Sequence, residues 1–282
     1  MKSRVAALTF ALLVSLPAPG FAQSAPPIGV RAAGMGGAFT AVADDGTASF
    51  WNPAGLASGA FVGGAVDFNS LDRQSGGFAG LVTPPLGFCY YRTTSTGSAA
   101  SNRNGAVVNQ TVHHAGATLV QSIGDHGLAV GSTLKFVHGD GASAFDADAG
   151  VMLSGALGQI GLTVHNVFAP DLGDLRLARR VRAGLAVHAT QTVTVAADVE
   201  FTTTPSPSGD WRDAAAGVEA HPWAKVWLRS GIHWNTAGST AAPIGTVGGS
   251  VTVYGSFRAD AQASMGSKDG DRGWGVGLSF VY

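Results

Sequence analysis

Charged residues and cysteine are both scarce in this sequence. Asp, Glu, Lys and Arg make up 12% of the 282 residues, about half the share found in an average globular protein. A water-soluble surface needs more charge than this, so much of the surface is expected to face something other than water. The net charge of −1 gives no reason to expect nucleic acid as a partner. The single cysteine, Cys89, excludes an internal disulfide framework.

Patterns typical of enzymes and of metal sites are also missing. Neither Gly-x-Ser-x-Gly nor Cys-x-x-Cys occurs, and the eight histidines are scattered. Adjacent His113 and His114 would point to opposite faces of a strand, so they could not chelate one ion together. We therefore predict no catalytic residue, no metal and no cofactor. One group near a predicted outer loop keeps a hydrolase, an acidic rim or a weak cation site open as alternatives: His138, Asp140, Asp146 and Asp148.

Long apolar runs are absent except at the amino terminus. Lys2 and Arg4 precede an apolar stretch at 5–16, and the small residues at 20–22 suit a cleavage site. This pattern predicts a secretory signal peptide over 1–22, with Gln23 or, alternatively, Pro26 as the first mature residue. No other segment reaches the roughly eighteen apolar residues of a transmembrane helix, which excludes an α-helical membrane protein.

What the sequence does have is strict alternation, most clearly in its last nine residues. Large apolar side chains there alternate with small ones, which predicts a β-strand with one apolar face. The segment resembles the terminal strand of bacterial outer-membrane barrels, which the barrel-assembly machinery reads; a buried edge strand of a soluble sandwich is the alternative. The predicted insertion signal consists of Trp274, Leu278, Phe280 and Tyr282.

Similar alternation elsewhere predicts an all-β fold. We predict a closed antiparallel transmembrane β-barrel over 58–282, with about fourteen strands of roughly ten residues and twelve as the alternative. Short predicted turns alternate with longer loops, such as 70–74, 94–109 and 139–144, so both chain ends should lie on the periplasmic side. The predicted strands are 60–69, 75–83, 86–93, 110–121, 127–138, 145–154, 159–167, 179–189, 191–202, 211–220, 224–234, 244–254, 256–265 and 272–282.

Several predicted strands in the second half of the chain have a charged face opposite an apolar one. The low charge, the signal peptide and the aromatic carboxyl terminus favour a charged lumen and a lipid-facing apolar wall, although a soluble barrel would invert the faces. The predicted lumen residues are Arg180, Arg182, Asp198, Glu200, Glu219, Lys225, Arg229, Arg258 and Asp260.

These charges can be paired across predicted hairpins. A hairpin about Thr190 would set Arg182 opposite Asp198 and Arg180 opposite Glu200. A second hairpin, about Pro222, would set Glu219 opposite Lys225. Such pairs would either stabilise the lumen or line a polar path for solute.

Residues 23–57 differ from the predicted strands because they are rich in small residues and lack alternation. Glycines permit close backbone packing, and Asn52-Pro53 forms turns. This composition predicts a plug, here called the hatch, in the periplasmic mouth of the barrel. Its motif residues are Arg31, Gly34, Gly36, Gly37, Asp44, Asp45, Trp51, Asn52, Pro53 and Gly55.

The hatch motif resembles the start of the FadL-like family of outer-membrane barrels, and within it the PorV/PorQ branch associated with type IX secretion. Both have a Gly-rich stretch, an acidic pair and Asn-Pro-Ala-Gly before the first strand. Residues 217–231, with a Pro turn followed by Leu-Arg-x-Gly, are similar to the family's late hairpin. The resemblance implies a fourteen-stranded barrel with an amino-terminal hatch, and transporters that pass hydrophobic molecules to a lateral opening in the wall.

Three functions follow from these patterns. The first is a channel or transporter for small hydrophobic or amphipathic solutes in the bacterial outer membrane, with a weak point in its wall near Pro84 and Pro85. The second is a non-transporting adaptor that binds a secretion-system protein. The third is an outer-membrane hydrolase. The expected partners are membrane lipids, the barrel-assembly machinery, and either a hydrophobic solute or a secretion protein.

Overall fold

The protein folds as a closed barrel of fourteen antiparallel strands around an amino-terminal segment. The computed structural model describes residues 28–59, 61–71, 74–98, 107–173, 175–204, 210–238, 242–267 and 272–282. The predicted signal peptide and the first five residues of the predicted hatch, 23–27, lie outside this part of the chain.

Two short helices and a 3-10 helix precede the first strand. They are α1 (Val30–Gly34), α2 (Ala48–Trp51) and the 3-10 helix Pro53–Ala57. The barrel strands of the first half are β1 (Gly63–Leu71), β2 (Gln74–Thr83), β3 (Leu86–Ser98), β4 (Val107–Ile123), β5 (Leu128–Gly139), β6 (Ala142–Gly155) and β7 (Gly158–His165). A separate small hairpin, β8 (Asp171–Leu172) and β9 (Leu175–Arg176), follows. The remaining barrel strands are β10 (Arg180–Thr190), β11 (Val193–Glu200), β12 (Asp213–Trp223), β13 (Val226–Asn235), β14 (Ile244–Tyr254), β15 (Phe257–Gly266) and β16 (Gly273–Val281).

The first and last strands close the barrel. β1 and β16 pair from Gly63 opposite Val281 to Leu71 opposite Gly273, and two further backbone bonds join Val62 to Tyr282. Closure leaves no sheet edge without hydrogen-bond partners. The predicted all-β closed barrel of fourteen strands is therefore confirmed, and the twelve-stranded alternative is wrong.

Short turns and longer connections sit at opposite ends, here called the turn end and the loop end. The turn end holds both ends of the described chain. Two of the predicted longer loops, 70–74 and 139–144, are wrong. The strands on either side of them, β1–β2 and β5–β6, are joined by only two residues each. At the second, Asp140 and Gly141 have φ of 50° and 72°, the left-handed geometry that two-residue hairpins require and that Asp-Gly favours.

The predicted cross-strand register is wrong in two hairpins. The β10–β11 turn lies at 191–192 with an irregularity after His188, so Arg182 faces Glu200 and Gly184 faces Asp198. Glu219 faces Arg229, whereas Lys225 lies exposed in the β12–β13 turn. A shift of an even number of residues keeps every side chain on its face, and alternation alone therefore cannot detect it.

The outer wall is apolar and the inner wall is polar. Val195, Leu228 and Leu278 are 47%, 48% and 59% exposed on the outside, while charged residues of the same strands are buried in the lumen. This is the arrangement of barrels that face lipid. In the described part of the chain, no helix is long and apolar enough to cross a membrane.

The predicted weak point in the wall is not present. β2 and β3 pair without interruption from Gln74–Ser95 to Thr83–Leu86. Pro84 and Pro85 lie in the turn beyond this ladder, so their missing N–H groups remove no strand hydrogen bond.

The main hydrophobic core lies inside the barrel, between the hatch and the wall. Its largest hatch side chains are Ile28, Met35, Phe39, Trp51 and Leu56, all of them buried. Phe39 and Phe50 both contact Trp51 edge-on, with ring centroids 6.0 and 5.4 Å apart. Small hatch residues with a few large anchors fill the lumen as a packed plug.

Candidate functional site

The hatch backbone lies directly against glycines of the barrel wall. At most of these positions a Cβ atom would overlap hatch atoms: at Gly131 it would meet Pro53, at Gly161 Thr40, and at Gly231 Met35. These glycines, here called the glycine belt, come from seven strands: Gly131, Gly150, Gly161, Gly184, Gly217, Gly231 and Gly248. Because glycine has no side chain, the belt leaves the hatch the space it occupies.

Arg31 fastens the turn-end side of the hatch to the wall. Its guanidinium donates to both oxygens of Glu219 on β12, at 2.7 and 2.8 Å, and also binds Asp44 and, at 3.1 Å, Asp45. It lies 5.1 Å from the ring centre of Phe39. Burial opposes the charge of Arg31, but Asp44, Glu219 and Asp45 outweigh that effect and the pKa of Arg31 is raised. The side chain is a permanently charged clamp.

Arg182 makes a second link between wall and hatch. Its Nε donates to Asp198 at 2.9 Å, one Nη to Asp213 at 2.7 Å, and the other to the carbonyl of Gly37 at 2.7 Å. Asp198 in turn accepts the backbone N–H groups of Phe39 and Thr40, at 3.1 and 2.9 Å. The ion pair therefore serves as a hydrogen-bonding platform for the hatch backbone.

Asn52 joins three parts of the structure. Its side-chain oxygen caps the 3-10 helix by accepting from Ala54 N, and its amide donates to Thr40 O at 2.9 Å and Val151 O at 3.2 Å. Pro53 opens that helix, where its missing N–H costs nothing. Asn52 is fully buried, so each of these bonds satisfies a group that water cannot reach.

The other hatch motif residues have local roles. Gly34 accepts from Thr246 through its carbonyl, and a Cβ on Gly55 would overlap the carbonyl of Ala43. Gly36 has φ of 67° and lies against the backbone of Ile232. Trp51 donates its indole N–H to Ile28 O at 3.0 Å.

The remaining predicted lumen charges have different partners, and one of them, Arg229, joins the Arg31 cluster through Glu219. Arg180 binds Glu200 through two bonds of 2.7 and 2.8 Å. Arg229 binds Glu219 at 2.5 Å and lies 3.7 Å from Asp260. Arg258 is half-buried, with its guanidinium 4.1 Å from the ring centre of Trp227. Of the predicted lumen residues, Lys225 alone is placed outside, in its exposed turn.

The hydrolase candidates do not converge. Asp146 and Asp148 are buried in the lumen and bind Lys135 at 3.2 and 2.7 Å, whereas His138 is exposed on the outer wall and Asp140 lies in a turn. No group of three or more His, Cys, Asp or Glu residues in the described part of the chain could hold a metal ion.

The last strand presents its predicted residues at the outer surface. Trp274, Leu278 and Tyr282 are 53%, 59% and 84% exposed. Phe280 is half-buried because its ring packs against Phe257, with centroids 5.6 Å apart.

Two cavities flank the hatch. The larger, about 460 Å³, opens near the turn end between the Arg31 cluster and Asp67, Arg258 and Asp260. The smaller, about 40 Å³, lies on the other side of the hatch among Phe50, Tyr91, His114 and His165. Leu177 joins this second cavity to an apolar cluster with Val112, Val137, Leu172 and Leu175. The lumen beneath the β8–β9 hairpin thus has an apolar cluster next to a small cavity whose lining also includes Lys135, Asn166 and Arg180.

Comparison with solved structures identifies the fold. No protein-family model matches the chain, and no curated protein matches it in sequence. Among solved structures it is similar to the toluene transporter TodX of Pseudomonas putida, with a TM-score of 0.65 and 13% identity over 93% of this chain and 98% of that one. It is also similar to the toluene transporter TbuX of Ralstonia pickettii, with a TM-score of 0.64 and 14% identity over 89% of this chain and 97% of that one. The chain has the FadL-like barrel fold.

Sequence reasoning missed two parts of this FadL-like barrel's lumen. The Lys135 cluster was missed because Asp146 and Asp148, although within a predicted strand, were grouped with His138 and Asp140 around an outer loop. The structure instead sets both carboxylates beside Lys135 of the adjacent strand. The glycine belt was missed because glycine abundance was interpreted only as composition. The paired positions Gly131–Gly150 and Gly217–Gly231 carry a signal that a register search could have found.

Proposed function

We propose that this chain is a bacterial outer-membrane barrel through which small hydrophobic or amphipathic solutes cross, with the turn end in the periplasm. The observation that carries the proposal is the apolar cluster of the β8–β9 hairpin, next to a small cavity that is lined by Phe50, Tyr91 and Leu177 together with polar side chains. The FadL-like fold supports it, since the similar structures are described as toluene transporters.

Solute would enter at the loop end, where Leu172, Leu175 and Leu177 close over Val112 and Val137. An apolar molecule gains free energy by replacing water contacts with these side chains. The cavity below holds about 40 Å³, which is room for little more than water. Movement of the hairpin is therefore part of the proposed entry step.

Passage beyond this point would require movement of the hatch. Ion pairs and hydrogen bonds fill the level between the two cavities, so the structure corresponds to a closed state of the proposed channel. The Arg31 clamp borders the larger cavity, and its release would connect the lumen to that cavity.

A PorV/PorQ-like adaptor is the second candidate, and the packing of the hatch favours it. A plug that contacts glycines on seven strands and two charged anchors suits a static support as well as a gate. In that case the lumen conducts nothing, and the exposed loop-end residues bind a secretion-system protein.

We also propose that the barrel-assembly machinery binds the carboxyl-terminal strand during insertion into the lipid bilayer. Trp274, Leu278 and Tyr282 supply exposed large side chains. Replacing Phe280 and Tyr282 by serine should reduce the heat-modifiable, folded fraction in membranes, and an unchanged fraction would contradict this role.

The test of transport is uptake of toluene and of arabinose by vesicles with and without the purified protein. We expect the protein to accelerate toluene uptake and to leave arabinose uptake unchanged. Leu175→Asn should lower toluene uptake several-fold because it places an amide in the buried apolar cluster. Asp171→Asn is the matched control, since this residue lies on the same hairpin with a 70% exposed side chain.

Equal toluene uptake with and without the protein would contradict the channel. If a stoichiometric protein partner then co-purified with the chain from membranes, the adaptor would be the supported function.

A further inference from the structure

The outer wall carries one row of polar and basic side chains across four adjacent strands. Arg92 on β3 lies opposite His113 on β4, His113 opposite His138 on β5, and His138 opposite Ser143 on β6. Arg92, His138 and Ser143 are exposed and His113 is half-buried. We call Arg92, His113, His138 and Ser143 the outer basic row.

Hydroxyl groups hold both imidazoles of this row. Tyr90 Oη lies 2.7 Å from His113 Nδ1, and Ser143 Oγ lies 2.8 Å from His138 Nδ1. When a hydroxyl donates to Nδ1, the ring proton is on Nε2, which can then donate to another acceptor. Among the described residues, neither Nε2 nor the Arg92 guanidinium has a hydrogen-bond partner. Three donor groups, the two Nε2–H groups and the Arg92 guanidinium, are then available on one surface.

The position of the row along the strands matches a membrane interface. On three of the four strands the next outward position toward the turn end is an exposed aromatic residue, Tyr90, Phe136 or Phe145, and on β4 it is Ala115. Phe88 and Leu134 follow on β3 and β5. Toward the loop end the row is followed by Thr94 and Thr111, whose hydroxyls lie 3.1 Å apart. An apolar belt, an aromatic girdle and then polar residues is the order in which a barrel wall leaves the hydrocarbon.

No comparable row exists on the other described strands of the barrel. Their outward positions hold Ala, Val, Leu, Ile, Gly, Ser or aromatic side chains, and their charged residues face the lumen or lie in connections. A basic residue on a lipid-facing wall is costly unless it meets polar or charged groups. At the interface this cost is small, and an anionic headgroup at this level would supply the row with a charged hydrogen-bond partner.

We propose that the outer basic row binds the phosphate of an anionic lipid headgroup, with the lipid's acyl chains lying along Phe88, Leu134 and Phe136. Neighbouring strands are about 4.8 Å apart, so Arg92 and His113 can share one phosphate while His138 contacts the adjoining part of the headgroup. The inference rests on the proposed membrane location but not on transport, because the row lies outside the lumen.

Lipid binding by the purified, detergent-solubilised full chain tests the proposal by native mass spectrometry. The probes are phosphatidylglycerol, a diphosphorylated lipid A, phosphatidylcholine and inorganic phosphate. Replacing Arg92, His113 and His138 together by Gln should weaken binding of the two anionic lipids about tenfold, the loss of one charge-assisted contact site. Phosphatidylcholine binding should not change.

Two comparisons separate this site from general charge effects. Lys225→Gln removes one exposed cation at the turn end and should leave anionic lipid binding unchanged. Arg92→Lys should retain part of the binding, because it keeps the charge but loses the two-pronged geometry. If the triple variant does not fold, as judged by heat modifiability, the test uses Arg92→Gln alone. This single change should weaken binding of the anionic lipids about threefold.

Equal anionic lipid binding by the row variants and the unchanged protein would overturn the proposal, as would an equal loss in Lys225→Gln. Full competition by inorganic phosphate would assign the row to free anions rather than lipid. A failure of toluene uptake would not affect this result, since binding is measured without transport.

Discussion

At the scale of single residues, most buried charges in this barrel lie beside a hydrogen-bonded opposite charge. Arg182 is an example, because its side chain is only 2% exposed but binds two carboxylates and a carbonyl. These partners offset the free-energy cost of removing its charge from water. Removal of one member of such a set leaves an uncompensated charge away from water, which costs more than the pair itself contributes.

Arg31→Gln should loosen the hatch while leaving the barrel closed. The side chain is 18% exposed and faces three carboxylates, so the change should destabilise the hatch by about 3–5 kcal/mol, as for other buried ion pairs. Liposome swelling should become faster, and the hatch should become sensitive to protease.

Arg212→Gln is the control for this change, because within the described part of the chain the Arg212 side chain bonds only Thr236, and these bonds are exposed. If both variants swelled at the rate of the unchanged protein and resisted protease equally, Arg31 would not be a clamp.

At the scale of elements, the wall strands are shaped to receive the hatch. Gly217 and Gly231 face each other on β12 and β13, and a side chain at either would enter the space of Met35. Strand glycines usually weaken a sheet. Here the loss is offset by close contact between wall and hatch, which buries the hatch backbone and its apolar side chains.

Gly231→Ala should displace the hatch, since the new Cβ would overlap the Met35 and Gly36 backbone. Overpacking of this kind costs about 1–3 kcal/mol. We expect a lower unfolding midpoint and faster hydrogen exchange in the hatch amides, with the strand amides still protected.

Gly245→Ala is the matched control on the neighbouring strand, where a Cβ would approach only the Met265 carbonyl, at 3.7 Å. Identical exchange in the two variants would show that the belt does not position the hatch.

At the scale of the whole molecule, the distribution of apolar and charged residues is the reverse of that in a soluble protein. Its exposed apolar side chains cover the outside and its ion pairs lie within. In water this surface would drive aggregation, whereas in lipid it is the stable arrangement.

Val195→Arg should therefore cost about 2–4 kcal/mol when the barrel unfolds from lipid vesicles, provided that the residue lies near the midplane. Its side chain is 47% exposed at the third of the eight residues of β11. Urea titration in vesicles measures the difference.

Tyr254→Arg, at the turn-end limit of β14 and 82% exposed, should cost no more than about 1 kcal/mol because it lies at the interface. Equal costs at the two positions would place Val195 outside the hydrocarbon.

The sequence by itself determined the fold class and the sorting of residues between the two faces. Alternation is a local property of two successive residues, so Val195 and Asp198 could be assigned to opposite faces without knowing any partner strand. The closed barrel followed from the number of such segments and from the apolar last strand, and both were correct.

Only the tertiary structure decided the register and the contacts between distant parts of the chain. The predicted partners Arg182–Asp198 and Arg180–Glu200 do bind each other, but diagonally across the shifted register. Glu219 binds Arg31 and Arg229 rather than Lys225, because register depends on turn geometry and a shift of an even number of residues, here four, moves no side chain to another face. The contact between Arg31 and Glu219 spans 188 residues, and no local pattern carries it. The glycine belt and the outer basic row likewise exist only once strands are placed side by side.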